Sequence, residues 1–357
     1  MEKIKVFIID DSAIVREILS SSLDRDERLE VVGTAVDPFV ARDKLKVLKV
    51  DVITLDIEMP RMDGLTFLGH LMKQHPIPVI IVSSVAEKDN QAGIKAIELG
   101  AVDIVPKPGG PFSVEEVIEM LTERIVEAAS IDHSKIGPHL PSELPRQAHS
   151  ASNLLGKPQN ILGNISTTNL LIAMGASTGG TIAYEEVFMR LPLDIPPVLA
   201  VIHMPAGFTK SFADRLNDLC VPAIREARDE EVIVSGTIYI APGSFHMAVR
   251  AQGAQRTIKL FSGPKVWNQR PAVDVLFDSV AQNIGRNAVG VLMTGMGRDG
   301  ATGLLHMKEA GASTICQDEE SSIVFGMPRE AIELGAADRV VPLKDIAGSM
   351  LNAAKSH

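Results

Sequence analysis

In an open parallel sheet the ligand crevice lies beyond the carboxyl ends of the strands, so polar residues that end apolar runs are the first candidates for chemistry. Near the N-terminus these are Asp10 and Asp11 after Lys5 to Ile9, Asp56 after Val52 to Leu55, Ser83 after Val79 to Val82, and Lys107 after Val102 to Val105. Three carboxylates converging there would repel one another unless a hard divalent cation lay between them, and oxygen ligands in this number suit Mg2+. The lysine and the hydroxyl would then receive an anion. A carboxylate beside such a metal can act as a nucleophile and become an acyl phosphate. Any one of these acids would pass as a turn residue or helix cap; five such residues in this order are not explained that way.

A second set begins at Met174-Gly175-Ala176-Ser177-Thr178-Gly179-Gly180, where small residues after an apolar run allow a sharp turn that lifts a serine clear of the sheet. It fits the pattern G-x-S-x-G, and the N–H groups at the following helix start, that of Thr178 included, could stabilise an oxyanion. The competing reading is a glycine-rich turn that only reverses the chain or cradles a phosphate. A serine needs a base, and His203 ends the next run, Val198 to Ile202, with His246 in Pro242-Gly243-Ser244-Phe245-His246 as its competitor. The imidazole in turn needs an acid. Asp299 lies in the glycine-rich loop Met293-Thr294-Gly295-Met296-Gly297-Arg298-Asp299-Gly300; its rivals Asp274 and Asp318 are expected to be solvated or to cap turns. The α/β-hydrolases that share the serine pattern run serine, acid, histidine, whereas the order here is serine, histidine, acid, which disfavours that fold.

The elements that would hold these residues follow from periodicity. Five short β-branched runs, including Val31 to Ala35, alternate with helical patterns such as Ile14, Val15, Ile18, Leu19 and Leu23; the last helix opens with a capping box, Ser113 to Glu116. Five βα units imply a doubly wound parallel sheet. The second half repeats this with strands at Leu170 to Met174, Val198 to Ile202, Thr237 to Ile240, Val289 to Met293, Ser313 to Ile315 and Arg339 to Val341. A hairpin is expected around Thr257 to Phe261, and Phe261 to Pro271 fits no regular element. Between Ile131 and Thr168 the periodicity stops and Pro, Gly, Ser, Thr, Asn and three solvated histidines, His133, His139 and His149, take over. The expected organisation is therefore a domain over 1–129, a flexible linker over 130–168 and a second domain over 169–357.

Composition narrows the function classes. The 357 residues carry 35 basic and 45 acidic side chains, a net charge of −10, which argues against broad affinity for phosphate backbones or anionic membranes. Aromatics are 4%, too few for a surface of stacking rings. The acidity is concentrated in the first domain. Apolar runs are too short to span a bilayer and the N-terminus lacks the build of a signal peptide, so the chain is expected to be cytoplasmic. Cys220 and Cys316, the only cysteines, are expected to be reduced core thiols.

Asp10-Asp11-Ser12, Asp56-Ile57-Glu58-Met59-Pro60 with Met62-Asp63-Gly64, Ser83-Ser84 and Lys107-Pro108 resemble a response-regulator receiver domain. The resemblance implies a flavodoxin-like fold in which Asp56 accepts phosphoryl. It implies that Asp11, Asp56 and the backbone carbonyl of Glu58 bind Mg2+ with help from Asp10, and that Ser83 and Lys107 contact the phosphoryl group. The aromatic that such domains often carry three residues before the lysine is Ile104 here, which leaves the route from phosphorylation to shape change open. Gly-Ala-Ser-Thr-Gly-Gly from Gly175, Ile202-His203-Met204-Pro205, Tyr239-Ile240-Ala241-Pro242-Gly243 and Thr-Gly-Met-Gly-Arg-Asp-Gly from Thr294 resemble the catalytic domain of the CheB family of chemotaxis protein-glutamate methylesterases. That resemblance implies a Rossmann-like three-layer α/β domain needing no cofactor. Ser177 would attack a glutamyl methyl ester of a chemoreceptor, with His203 as base, Asp299 orienting it, and the Met296 N–H, less directly that of Thr178, as oxyanion donors. Deamidation of receptor glutamines, a receptor-coupled histidine kinase as phosphoryl donor and inhibition by the unphosphorylated receiver are implied as well; the oligomeric state is open, with a monomer favoured. The alternative is a non-catalytic response regulator whose second half binds a partner or nucleotide; no nucleic-acid output and no membrane insertion are expected.

Overall fold

Parallel strands covered on both faces need no polar alternation, and the apolar runs of this sequence are of that kind. A computed structural model describes residues 2–84, 86–109, 113–132, 135–137, 170–253 and 255–355. The chain divides into two compact units. Apart from 130–132 and 135–137, the linker expected over 130–168 lies outside the described residues, its three histidines included.

The N-terminal unit has strands β1 (Ile4–Ile9), β2 (Leu29–Ala35), β3 (Val52–Leu55), β4 (Val79–Ser83) and β5 (Asp103–Pro106), all parallel, in the order β2-β1-β3-β4-β5. Helices α1 (Ala13–Leu23), α2 (Pro38–Leu45), α3 (Gly64–Gln74), α4 (Glu87–Glu98) and α5 (Val114–Ala129) connect and follow them. Val6, Ile8, Leu19, Val82, Leu121 and Ile125 belong to one buried cluster between sheet and helices. The capping box forms: the Glu116 N–H donates to Ser113 Oγ at 3.2 Å and the Ser113 N–H to Glu116 Oε2 at 2.9 Å. Strand order reverses beside β1, with β2 on one side and β3 on the other. The ends of β1 and β3 thus flank a crevice, and Asp10, Asp11 and Asp56 are at those ends.

The C-terminal unit has β6 (Leu171–Ala176), β7 (Val198–Ile202), β8 (Ala223–Glu226), β9 (Thr237–Ile240), β10 (His246–Gln252), β11 (Gln255–Phe261), β12 (Ala288–Leu292), β13 (Ser313–Gln317) and β14 (Arg339–Val341). Seven of them form a parallel sheet in the order β14-β13-β12-β6-β7-β9-β8, while β10 and β11 pair as an antiparallel hairpin. The helices are α6 (Gly180–Phe188), α7 (Phe208–Leu219), α8 (Val273–Asn283), α9 (Ala301–Glu309), α10 (Met327–Glu333) and α11 (Leu343–Lys355). Here the order reverses between β6 and β12. Among the described residues no helix is long and apolar enough to cross a membrane. Cys220 and Cys316 are free thiols in the interior, and burial pushes each up to about 12.

The sequence expectations differ from the fold in two places. Strand β8 was not anticipated: it is a four-residue edge strand whose Arg225 and Glu226 break any apolar run. The unplaced segment from Phe261 holds a tight two-residue reversal. The Val266 N–H donates to the Gln269 carbonyl at 3.1 Å and the Gln269 N–H returns to Val266 at 2.9 Å, with both central residues left-handed, Trp267 at φ 50° and Asn268 at φ 62°.

One close contact sets how α8 crosses β6. A β-carbon on Gly175 would lie 2.3 Å from Val273 Cγ1 and 2.8 Å from its Cγ2. Valine is stiff about χ1 and cannot turn aside cheaply. Gly175→Ala should therefore destabilise this unit by about 1–3 kcal/mol in thermal or denaturant unfolding, and Val273→Ala in the same chain should recover part of the loss.

Candidate functional site

Adjacent parallel strands deliver the residues of the C-terminal site. Ala176 of β6 pairs with Ile202 of β7, so Ser177 and His203 leave the sheet side by side, and the His203 N–H donates to the Ala176 carbonyl at 3.3 Å. On the other flank the Ser177 N–H donates to the Thr294 carbonyl at 2.9 Å. The loop after β12 then passes directly over the serine: a β-carbon at Gly295 would lie 2.7 Å from Ser177 Cβ and 2.3 Å from Met327 Sδ. Only glycine permits that approach. Met296 follows it, half-buried, and Thr178 is buried beside the start of α6, where the left-handed residue is Gly179 at φ 79°. The backbone turn is thus taken two residues after Ser177.

Asp299 is buried and held by three donors. Its Oδ2 lies 2.7 Å from His203 Nε2 and accepts the Val273 N–H at 2.7 Å, while Oδ1 accepts the Asp274 N–H at 2.8 Å. The two amides come from the first turn of α8, the positive end of the helix dipole. A carboxylate facing two amides accepts, so His203 donates from Nε2. Asp299 thus faces Nε2, the reverse of the familiar triad in which the acid holds Nδ1.

The competitors are disposed of by their own bonds. His246 is buried with Nε2 2.9 Å from the Pro264 carbonyl and Nδ1 accepting the Ala272 N–H at 3.3 Å, so both ring nitrogens serve as a structural brace. Asp318 caps a turn, accepting from the Ser321 N–H at 3.0 Å. Asp274, expected to be solvated or capping, is not solvated but does cap the first turn of α9. It is 7% exposed and accepts the Gly303 N–H and Trp267 Nε1–H, each at 2.7 Å; burial, with Asp299 nearby, raises its pKa. Its position in the first turn of a helix resembled a solvent-facing cap, but α9 and the Trp267 loop close over it.

Two further residues went unrecognised in the sequence. Gln317 Oε1 accepts the Thr294 N–H at 2.8 Å; Thr294 Oγ1 donates to the Thr178 carbonyl at 2.9 Å and accepts the Val324 N–H at 3.0 Å. Thr294 thereby ties the serine turn to the segments after β12 and β13. Both lie at or just beyond the carboxyl ends of apolar runs, the same signal that marked the others.

In the N-terminal unit, Lys107 Nζ lies 2.7 Å from Asp56 Oδ2 and 3.2 Å from Asp10 Oδ2. Both oxygens are buried and face the same ammonium. Asp10 Oδ1 accepts the Ser12 N–H at 2.8 Å and Asp56 Oδ1 the Glu58 N–H at 3.3 Å. Ser83 is buried at the end of β4, its carbonyl accepting the Lys107 N–H at 2.8 Å; Ile104 is buried on β5. Gly64 is required because a β-carbon there would stand 2.2 Å from the Asp56 carbonyl oxygen. One oxygen from each of Asp10, Asp11 and Asp56 falls within 4.8 Å of the others, Asp11 being exposed. Three carboxylate oxygens drawn this close fit a small hard cation. Burial pushes the Asp56 carboxyl up to about 6, against the pull of Lys107 and with help from Asp10. Burial also opposes the charge on Lys107, but the Asp56 and Asp10 contacts outweigh it and raise its pKa.

Residues 172–350 match the CheB methylesterase domain and residues 6–121 the response regulator receiver domain. The chain is 49% identical over 351 residues to protein-glutamate methylesterase/protein-glutamine glutaminase 2 of Syntrophus aciditrophicus, spanning 98% of this chain and 99% of that one. The chain belongs to the CheB methylesterase family. The like-named protein of Salmonella typhimurium is 47% identical over 353 residues, 98% of this chain and 97% of its own. The crystal structure of the Thermotoga maritima CheB methylesterase catalytic domain is similar with a TM-score of 0.51 and 38% identity, covering 52% of this chain and 98% of that one. The parallel α/β architecture and the CheB resemblance drawn from the motifs both hold.

The raised Asp56 pKa has a stability consequence. A carboxyl whose pKa rises on folding favours the folded state while protonated, and its charge costs stability as pH rises through about 6. Without metal, Asp56→Asn should therefore be more stable than the native chain above that pH, by up to about 2 kcal/mol, with the difference fading in acid. Adding Mg2+ should raise the melting temperature of the native chain more than that of the variant.

Proposed function

We propose that this chain is a phosphorylation-controlled serine hydrolase that demethylates glutamyl methyl esters of chemoreceptors and deamidates selected receptor glutamines, as part of chemotactic adaptation. One observation carries the assignment of its active residues: the 2.7 Å contact between His203 and buried Asp299, beside Ser177 at a topological switch point. Ser177 Oγ attacks the ester carbonyl carbon while His203 Nδ1 takes its proton, and Asp299 holds the imidazolium through Nε2–H. The new oxyanion is met by the N–H groups of Met296 and Thr178. The C–O bond to the methoxy group then breaks, His203 returns the proton, and methanol leaves. Water attacks the acyl-enzyme with the same base, releasing glutamate and restoring Ser177. A glutamine follows the same course with ammonia as the leaving group.

In the receiver, Asp10, Asp11, Asp56 and the carbonyl of Glu58 would hold Mg2+, which supplies positive charge against the oxygens of an incoming phosphoryl group. An Asp56 oxygen attacks phosphorus as the bond to the kinase histidine breaks. Lys107 and Ser83 contact the resulting acyl phosphate. Joining a receiver to a hydrolase supports control of the second by the first, with the unphosphorylated receiver inhibitory. A purely binding C-terminal half would have no use for the His203–Asp299 arrangement, which disfavours the non-catalytic alternative.

Methanol release from methylated receptor tests both parts. Ser177→Ala should abolish it, and Asp299→Asn should cost on the order of 10³–10⁴-fold by releasing the ring from its tautomer. A small phosphodonor with Mg2+ should accelerate the native chain and leave Asp56→Ala at its basal rate. An active Ser177→Ala chain would remove the nucleophile; a native chain indifferent to phosphodonor would remove the gating.

A further inference from the structure

Beside the triad is a residue that its own backbone does not explain. The reversal from Val266 to Gln269 has two mutual hydrogen bonds and two left-handed central residues, the geometry of a type I′ turn. Such turns take Asn, Asp or Gly, and a bulky side chain at positive φ is strained. The first central residue is nonetheless Trp267, the sole tryptophan of the chain, and its ring remains 47% exposed. Its conformation is held from behind: Nε1–H donates to buried Asp274 Oδ2 at 2.7 Å, and the Asp274 N–H is one of the three donors on Asp299. Strain that the surroundings overdetermine beside an active site points to use.

What the indole carries is a cation. The Arg298 guanidinium stacks over the Trp267 ring at 5.1 Å from its centroid, and Arg298 immediately precedes Asp299 in the chain. Its side chain is 57% exposed, and it pairs with Glu330 only at 3.6 Å, beyond a charge-assisted hydrogen bond. A guanidinium held over an aromatic face keeps its N–H donors available at its edge, and those donors can receive a carboxylate in bidentate fashion. Both members of the pair are therefore tied within one residue of the catalytic acid, and the pair presents a positive, pre-oriented fork to solvent.

On the reading that the substrate is a receptor segment bearing glutamyl esters or amides, we infer that Arg298, braced by Trp267, is a specificity-determining residue that binds a carboxylate of that segment close to the reacting side chain. The chemistry of the reaction supplies such groups: every turnover converts a neutral ester or amide into a carboxylate, so a segment with several sites gains anions as it is processed. Arg298 would draw the enzyme to segments already carrying one.

Steady-state methanol release decides this with two substrates, a methylated receptor fragment and a small N-acyl glutamate γ-methyl ester amidated at its α-carboxyl. Arg298→Ala should raise KM for the receptor fragment about tenfold with a much smaller change in kcat, and kcat/KM should fall far less on the small ester, which has no second carboxylate. Replacing the acidic residues that flank the ester in the fragment with Ala should erase the difference between native and Arg298→Ala. Trp267→Gly should raise KM for the fragment, and Trp267→Phe, which keeps an aromatic face under Arg298, should raise it less; both lose the bond to Asp274 alike, so a melting-temperature loss common to the two does not account for the difference between them. Equal losses on both substrates, or a persistent difference on the fragment without flanking acids, would overturn the assignment. Ser177→Ala run alongside separates the outcomes: if it is inactive and Arg298→Ala behaves as native, this inference alone fails, whereas an active Ser177→Ala chain removes the underlying mechanism.

Discussion

A single oxygen atom, Asp299 Oδ2, receives two hydrogen bonds of 2.7 Å, one from His203 Nε2 and one from the Val273 N–H. Burying a carboxylate away from water is costly unless donors replace its hydration. The first turn of α8 supplies two of them, so the helix must end where the acid sits. Val273, whose amide serves the acid, packs its side chain on Gly175 of β6, two residues before Ser177. The position of Asp299, the crossing of α8 over the sheet and the missing side chain at Gly175 are thus one constraint seen from three sides.

The two halves answer the same geometric problem with different electrostatics. Each gathers its polar residues where strand order reverses, at β1 and β3 in one unit and at β6 and β12 in the other. In the receiver the gathered carboxylates are balanced by Lys107 and fit a cation, with amides in a minor part. In the hydrolase unit the acid is balanced by backbone N–H groups at a helix start and by a histidine.

Much of this was legible in the residues. Strands buried on both faces announce themselves as apolar runs, and the polar residues that end them named Asp10, Asp56, Lys107, Ser177, His203 and the loop of Asp299. What escaped was whatever depends on a neighbour distant in sequence. Asp274 looks like an ordinary first-turn acid until α9 and the Trp267 loop cover it. The structural role of His246 is invisible without Pro264 and Ala272, which approach it through folding of the 261–272 segment. Edge strand β8 has no apolar pattern to read, because pairing on one side demands little of its side chains. The turn at Trp267 and Asn268 lacks the glycine or second asparagine that would have marked it.

The orientation of His203 carries a mechanical consequence. Nδ1 lies nearer the main chain than Nε2, so when the ring rocks about its stem the near nitrogen sweeps a shorter arc than the far one. With Asp299 gripping the far end, the lever is pinned at its tip and works at its short arm. In the proposed reaction a base of so little travel cannot reach out for a distant hydroxyl, so the chain has to set the two side by side. Pairing of Ala176 with Ile202 sets the chain segments that lead into Ser177 and His203 shoulder to shoulder before either side chain has chosen a rotamer.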